Sequence, residues 1–249
     1  MKKKICVFLF FIFCTLTFAL NFSVFPTDFK VDATRTTTQE ASVINNTTEP
    51  LRVEIYAESD PEYGKDYNLN PNIKVFPKTV SIKPGGTQKV RFRVKSDSRI
   101  RDGVNKSYLT FKEMPYEIKN ASKDKNSTDI KTQLNMITVL SIPVYSLGEN
   151  ISATADIKNV KLVDKKGIFN LSLDVTSKGN APIYLIYELN VLGSDFTSKG
   201  GIGNTARDGA KKLNVSFEGE NGLQGKKANL KITDSKGKVY FNKTVTIYG

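Results

Sequence analysis

Residues 129–145 read DIKTQLNMITVLSIPVY. From Thr132 to Tyr145 the stretch carries no charge, and Ile, Val and Thr dominate it. β-Branched residues favour extended backbone, and Pro143 would break a helix interior, so the stretch reads as one long strand. At its start, Gln133 and Asn135 alternate with Leu134 and Met136; further on, apolar residues fall on both faces. Such a strand buries one side and offers apolar surface on the other. At a sheet edge, its free backbone groups would form a docking site for another strand.

Working outward, the preceding segment from Pro115 to Asp129 is a polar, lysine-rich loop, and Ser107 to Met114 is the strand before it. Earlier still, Lys83-Pro84-Gly85-Gly86 is a tight turn. It launches a strand in which Val90, Phe92 and Val94 face one way and Lys89, Arg91, Arg93 and Lys95 the other. The basic row reads as a solvated sheet face. Short strands are expected at 73–76 and 79–82 around Pro77, and an alternating one from Leu51 to Tyr56. Residues 58–72 are loop-like. Thr34 to Asn46 is Thr-rich and ends at a turn, and Asn21 to Lys30 is a short strand interrupted by Pro26.

After Gly148 the pattern restarts. Strands are expected at 151–163, 168–177, 183–192, 213–217, 228–233 and 239–247, separated by turn sequences such as DKKG, SKGNAP and DSKGK. Many short strands with regular turns predict an all-β chain of two β-sandwich domains, 20–147 and 148–249. Before them, MKKK and an apolar run from Ile5 to Leu20 read as a secretory signal peptide, residues 1–19, cleaved after Ala19. Cys6 and Cys14 both lie inside it, so the processed chain would carry no thiol.

Enzyme chemistry finds little footing. The chain has no histidine and no tryptophan. That removes imidazole general bases, Ser-His-Asp triads and Cys/His zinc sites, so no enzyme, metal or cofactor is expected. Gly201-Ile202-Gly203-Asn204-Thr205-Ala206 fits a dinucleotide fingerprint in its alanine variant. It follows polar FTSKG rather than a buried strand, and reads as a chance match in a flexible loop. The net charge of +12 comes with acids interleaved among the bases, which argues against a nucleic-acid binder.

Four features, in order, carry a resemblance over residues 22–147. They are Asp32-Ala33-Thr34-Arg35; Pro77 followed by Ile82-Lys83-Pro84-Gly85 and Val90-Arg91-Phe92; Tyr108-Leu109-Thr110-Phe111-Lys112-Glu113-Met114-Pro115; and a variable loop leading into the long strand. In these the first half resembles the N-terminal domain of PapD-like periplasmic pilus chaperones. The resemblance implies a boomerang of two immunoglobulin-like domains, in the periplasm. The long strand would lend apolar residues to an incomplete pilin-like subunit whose C-terminal carboxylate is anchored in the cleft. Arg35 would be the cleft cation, and Leu134, Met136, Thr138 and Leu140 the partner-facing residues, with Ile137 and Val139 turned inward. Secreted subunits, an outer-membrane usher and a self-capping dimer are the implied partners. The family's cleft lysine in the long strand has no counterpart: no Lys or Arg occurs between Thr132 and Ile157. A structural or adhesive cell-surface protein built of two sandwiches is the alternative reading.

Overall fold

The computed structural model of the chain describes residues 20–63, 66–115 and 136–249. The signal segment, Leu134 and the loop beyond Pro115 lie outside the described residues. Two separate apolar clusters form, one from Phe22 to Val144 and the other from Ile157 to Ile247.

The first cluster lies between two sheets. One holds β1 (Phe22–Phe25), β3 (Thr37–Asn45), β7 (Thr87–Val94) and β5 (Ile73–Phe76) in the order β1-β3-β7-β5. The other holds β2 (Phe29–Asp32), β9 (Val139–Leu147), β8 (Val104–Glu113), β4 (Leu51–Ser59) and β6 (Thr79–Ile82) in the order β2-β9-β8-β4-β6. The alternation read in the sequence is the packing pattern: Val53, Ile55, Val90, Phe92 and Val94 are all buried, and Phe92 meets Phe29 edge to face with ring centroids 4.8 Å apart. The turn into β7 closes with Gly86 N–H donating to Lys83 O at 2.9 Å. Pro84 precedes Gly85 at φ +64°, the chemistry a type II turn needs.

The segment read as one interrupted strand is two strands in different sheets. β1 pairs antiparallel with β3, whereas β2 pairs parallel with β9, Phe29 opposite Val144 and Asp32 opposite Leu147. Residues 26–28 carry the chain across. Pro26 lacks the N–H that a continuous ladder would use, so the strand changes layers there.

The second cluster is wrapped by β10 (Ala153–Lys165), β11 (Ile168–Gly179), β12 (Tyr184–Val191), β13 (Thr197–Asn204), β14 (Gly209–Glu218), β15 (Lys227–Asp234) and β16 (Val239–Tyr248). Their order is β13-β12-β15-β16-β10-β11-β14. β16 joins the two sides of this order through only two parallel pairs, Leu162–Ile247 and Val163–Tyr248. β13 corrects an expectation: the GIGNTA stretch begins in a paired strand rather than a flexible loop. Its glycines make room for β12. A Cβ on Gly201 would lie 2.0 Å from the Tyr184 hydroxyl, and one on Gly200 3.0 Å from the Tyr187 ring. Such glycines look like loop in sequence, yet here they are where aromatic rings of the next strand lie across the backbone.

Candidate functional site: a free strand edge leading to a basic cavity

β9 pairs with β8 along its whole length, Val139 opposite Lys112 and Leu147 opposite Val104. On its other side β2 covers only Val144 to Leu147. Among the described residues, the stretch 139–143 has no strand on that side. Glu113 N–H donates to Thr138 O at 2.9 Å, so 113 and 138 form a hydrogen-bonded pair. By antiparallel alternation, Leu140, Ile142 and Val144 bond to β8, and the odd residues point their backbone groups at the open edge. Leu147 fits this rule, since its carbonyl accepts from Ala33 N–H at 3.0 Å on the β2 side. The open edge therefore offers the N–H and carbonyl groups of Val139 and Ser141, while the Pro143 carbonyl faces Phe29 N–H at the start of the β2 ladder. Glu113 also fixes the start of the strand: its carboxylate accepts from Thr138 N–H at 3.1 Å and from Asn21 Nδ2 at 2.9 Å.

The side-chain phase is opposite to the expected one. Ile142 and Val144 are buried, and Leu140 packs against the core rather than facing a partner. Val139 and Ile137, expected inside, are 49% and 44% exposed. Met136, at 83%, is exposed as expected, and Thr138 is half-buried beside Glu113. With apolar residues on both faces of 137–144, the sequence pattern cannot fix the phase, and a one-residue slip turns every side chain over.

Toward its C-terminal end the edge meets a cavity of about 300 Å³ between the two halves. Lys30, Glu62, Tyr63, Lys106 and Tyr145 line it from one half, and Asn204, Thr205 and Lys211 from the other. Lys106 stands on β8 directly opposite Tyr145 of β9. Its Nζ pairs with the Asp60 carboxylate at 2.6 Å and donates to the Tyr108 hydroxyl at 3.0 Å. The rings of Tyr108, Tyr145 and Tyr63 surround it at 4.6, 5.4 and 5.7 Å. Burial works against the ammonium, but the bonds to Asp60 and Tyr108 outweigh it and raise Lys106 above its ordinary value. The Asp60 carboxyl is held below its ordinary range: burial opposes this, and the Lys106 bond prevails. Lys211 pairs with Glu62 at 2.6 Å. Lys30 has no ion pair among the described residues. The Tyr63 hydroxyl is buried there without a hydrogen-bond partner among the described residues, and burial pushes its pKa well up. A site with a free ammonium, two more cations and an unsatisfied hydroxyl can hold an oxyanion such as a carboxylate. Among the described residues no group of His, Cys, Asp and Glu side chains could hold a metal ion.

Arg35 lies elsewhere. It is in the turn between β2 and β3, its side chain is 78% exposed, and its Nε pairs with Asp32 at 3.1 Å. It does not line the cavity. The cations that do are Lys30, Lys106 and Lys211, which sequence reasoning missed. A signal existed for two of them: Lys30 alternates with buried Phe29 and Val31, and Lys106 shares a strand face with Tyr108.

The halves are tied beside the cavity by Arg207. Its Nε donates to Val104 O at 2.8 Å, an Nη to Asp102 O at 3.2 Å, and its guanidinium lies 3.7 Å from the centroid of the Tyr67 ring.

The architecture so assembled is that of the two-domain, immunoglobulin-like pilus chaperones. Two solved structures illustrate the likeness. The YadV chaperone matches with a TM-score of 0.52 and 11% identity, over 92% of this chain and 100% of that one. A chain of a chaperone–tip adhesin complex of CFA/I fimbriae biogenesis matches with a TM-score of 0.50 and 12% identity, over 92% of this chain and 99% of that one. At such identities the likeness is one of fold. No family model matches the sequence, and no curated protein sequence does. Among the described residues no helix is long and apolar enough to cross a membrane.

Proposed function

We propose that the chain is a periplasmic chaperone that binds and caps secreted pilin-like subunits by strand addition on β9. One observation carries this reading: the open backbone edge at 139–143 runs directly to Lys30 and its cavity. The fold shared with the YadV chaperone, and with a chain of a chaperone–tip adhesin complex, supports it.

A carboxylate held at Lys30 would set the direction of the incoming strand. β2 runs parallel to β9, with Lys30 opposite Tyr145. A strand laid along 139–143 in line with β2 brings its end to the start of β2. If that end is a C-terminal carboxylate, the strand runs parallel to β9 and the carboxylate meets Lys30. The main-chain bonds give affinity without selectivity. Val139 and Met136, and Leu134 beyond the described residues, would supply the selective apolar contacts. An outer-membrane usher would take over the loaded subunit. Without a subunit, a second copy would cover the exposed edge.

The test is co-purification of secreted subunits from the organism's own envelope. Met136→Asp with Val139→Asp places charge in the apolar contact and should abolish recovery. Lys30→Gln removes one charge-assisted bond and should weaken binding about tenfold. If neither set of changes alters the bound proteins, the chaperone reading is wrong and the surface-protein reading replaces it.

A further inference from the structure

The outer face of the four-stranded sheet has a composition that the β9 site does not use. Register places its residues in rows. Phe25 is opposite Ser42, which is opposite Lys89; Glu40 is opposite Arg91, which is opposite Phe76; Thr38 is opposite Arg93, which is opposite Lys74. Lys95 continues the face at the end of β7. Five cations thus share this face with one carboxylate, Glu40, which pairs with Lys89 at 2.7 Å and Arg91 at 3.1 Å. Arg93, Lys74 and Lys95 have no ion pair among the described residues. Lys74 and Arg93 stand directly opposite each other, an arrangement that costs stability in a sheet. With Thr36 and Asn72 these three cations line a recess of about 260 Å³. On the two edges of the same face stand phenyl rings with little cover, Phe25 at 69% and Phe76 at 79% exposed.

We propose that this face docks on an anionic phospholipid surface, with a headgroup phosphate in the recess of Lys74, Arg93 and Lys95 and the Phe25 and Phe76 rings in the interface. A recess lined by cations suits a phosphate. Exposed phenyl rings flanking cations on an open sheet face suit an anionic and partly apolar surface better than they suit an extended acidic peptide, which gains most from a groove. The face points away from the sheet that carries β9, so a docked molecule keeps its open edge free. The inference is independent of what binds β9.

The experiment is co-sedimentation of the purified chain with phosphatidylcholine vesicles, with and without phosphatidylglycerol. The expected result is binding only to the anionic vesicles, weakening as salt rises. Lys74→Gln with Arg93→Gln should lower the partition roughly thirtyfold, from about 1 kcal/mol per cation lost. Phe76→Ser should lower it several-fold with both charges kept. All these positions are exposed, so circular dichroism should show an unaltered fold. Equal binding to neutral vesicles, or an unchanged double variant, would each overturn the proposal.

Discussion

Replacing Arg207 with alanine tests how the cavity is held together. The residue is only 6% exposed, and its partners are backbone carbonyls of the other half. Each hydrogen bond from a charged donor is worth about 1.5–3 kcal/mol, and the Tyr67 stack about 1 kcal/mol more. The Asp102 carboxylate, at 3.9 Å and 71% exposed, adds little. Desolvation of the guanidinium offsets part of the sum, leaving a loss of about 3 kcal/mol. For a chain of this size that lowers the unfolding midpoint by about 6–12 °C. Arg207→Lys should be nearly as damaging, because an ammonium cannot serve two carbonyls and a ring face at once. Calorimetry measures the shift. Two introduced cysteines, one per half, can carry dyes that report whether the halves separate, since Cys6 and Cys14 are the only native thiols. Midpoints within about 1 °C of the parent for both variants, with an unchanged distance distribution, would refute the idea that Arg207 bolts the halves.

Ser141→Pro deletes a donor on the open edge while leaving the β8 ladder intact; subunit capture should fall about tenfold with a midpoint loss of a few degrees, the latter from the lost Thr110–Ser141 hydroxyl bond of 3.0 Å. Gly103→Ala should cost about 3 kcal/mol by calorimetry, because φ is +65° and the new Cβ would lie 2.1 Å from Asn180 O in the other half. The Asp60–Lys106 pair makes stability pH-dependent. Asp60 titrates below its ordinary 3.8, so its contribution is present above that pH and fades as pH falls through the folded value; Lys106 titrates above its ordinary 10.5, so its share is complete below that pH and fades only as pH rises through the folded value. Midpoints measured from pH 6 down to about 2 should drop less steeply in Asp60→Asn than in the parent, and parallel curves would exclude the pair as their cause.

The fold was legible wherever one face of a strand is buried and the other is wet. β7 is the clear case: its buried Val90, Phe92 and Val94 and its exposed Lys89, Arg91 and Arg93 follow from alternation alone. Legibility ended where the deciding partner is distant in sequence. Nothing in Phe22 to Asp32 announces that β1 and β2 join different layers; their partners, β3 and β9, lie at opposite ends of the half. β13 was hidden for a similar reason, because its glycines answer to tyrosines on β12 and not to their own neighbours.

The site was half legible, and its missing half follows from strand pairing. A cation beside the end of β9 can be supplied by β9 itself or by either strand paired with it. Search along one strand finds only the first kind, and β9 has none. Lys106 on β8 and Lys30 on β2 both stand opposite Tyr145, one on each side of it. Cross-strand partners lie about 5 Å apart, so a lysine on either neighbour reaches the same point in space. The positive charge absent from residues 132–157 is therefore supplied beside Tyr145 by the two neighbouring strands. The chemistry of the cleft depends on position in the sheet, and three different strands could provide it. Tyr145 then takes the room a β9 cation would occupy, and its ring faces the Lys106 ammonium at 5.4 Å in place of the like-charge contact a second lysine would make.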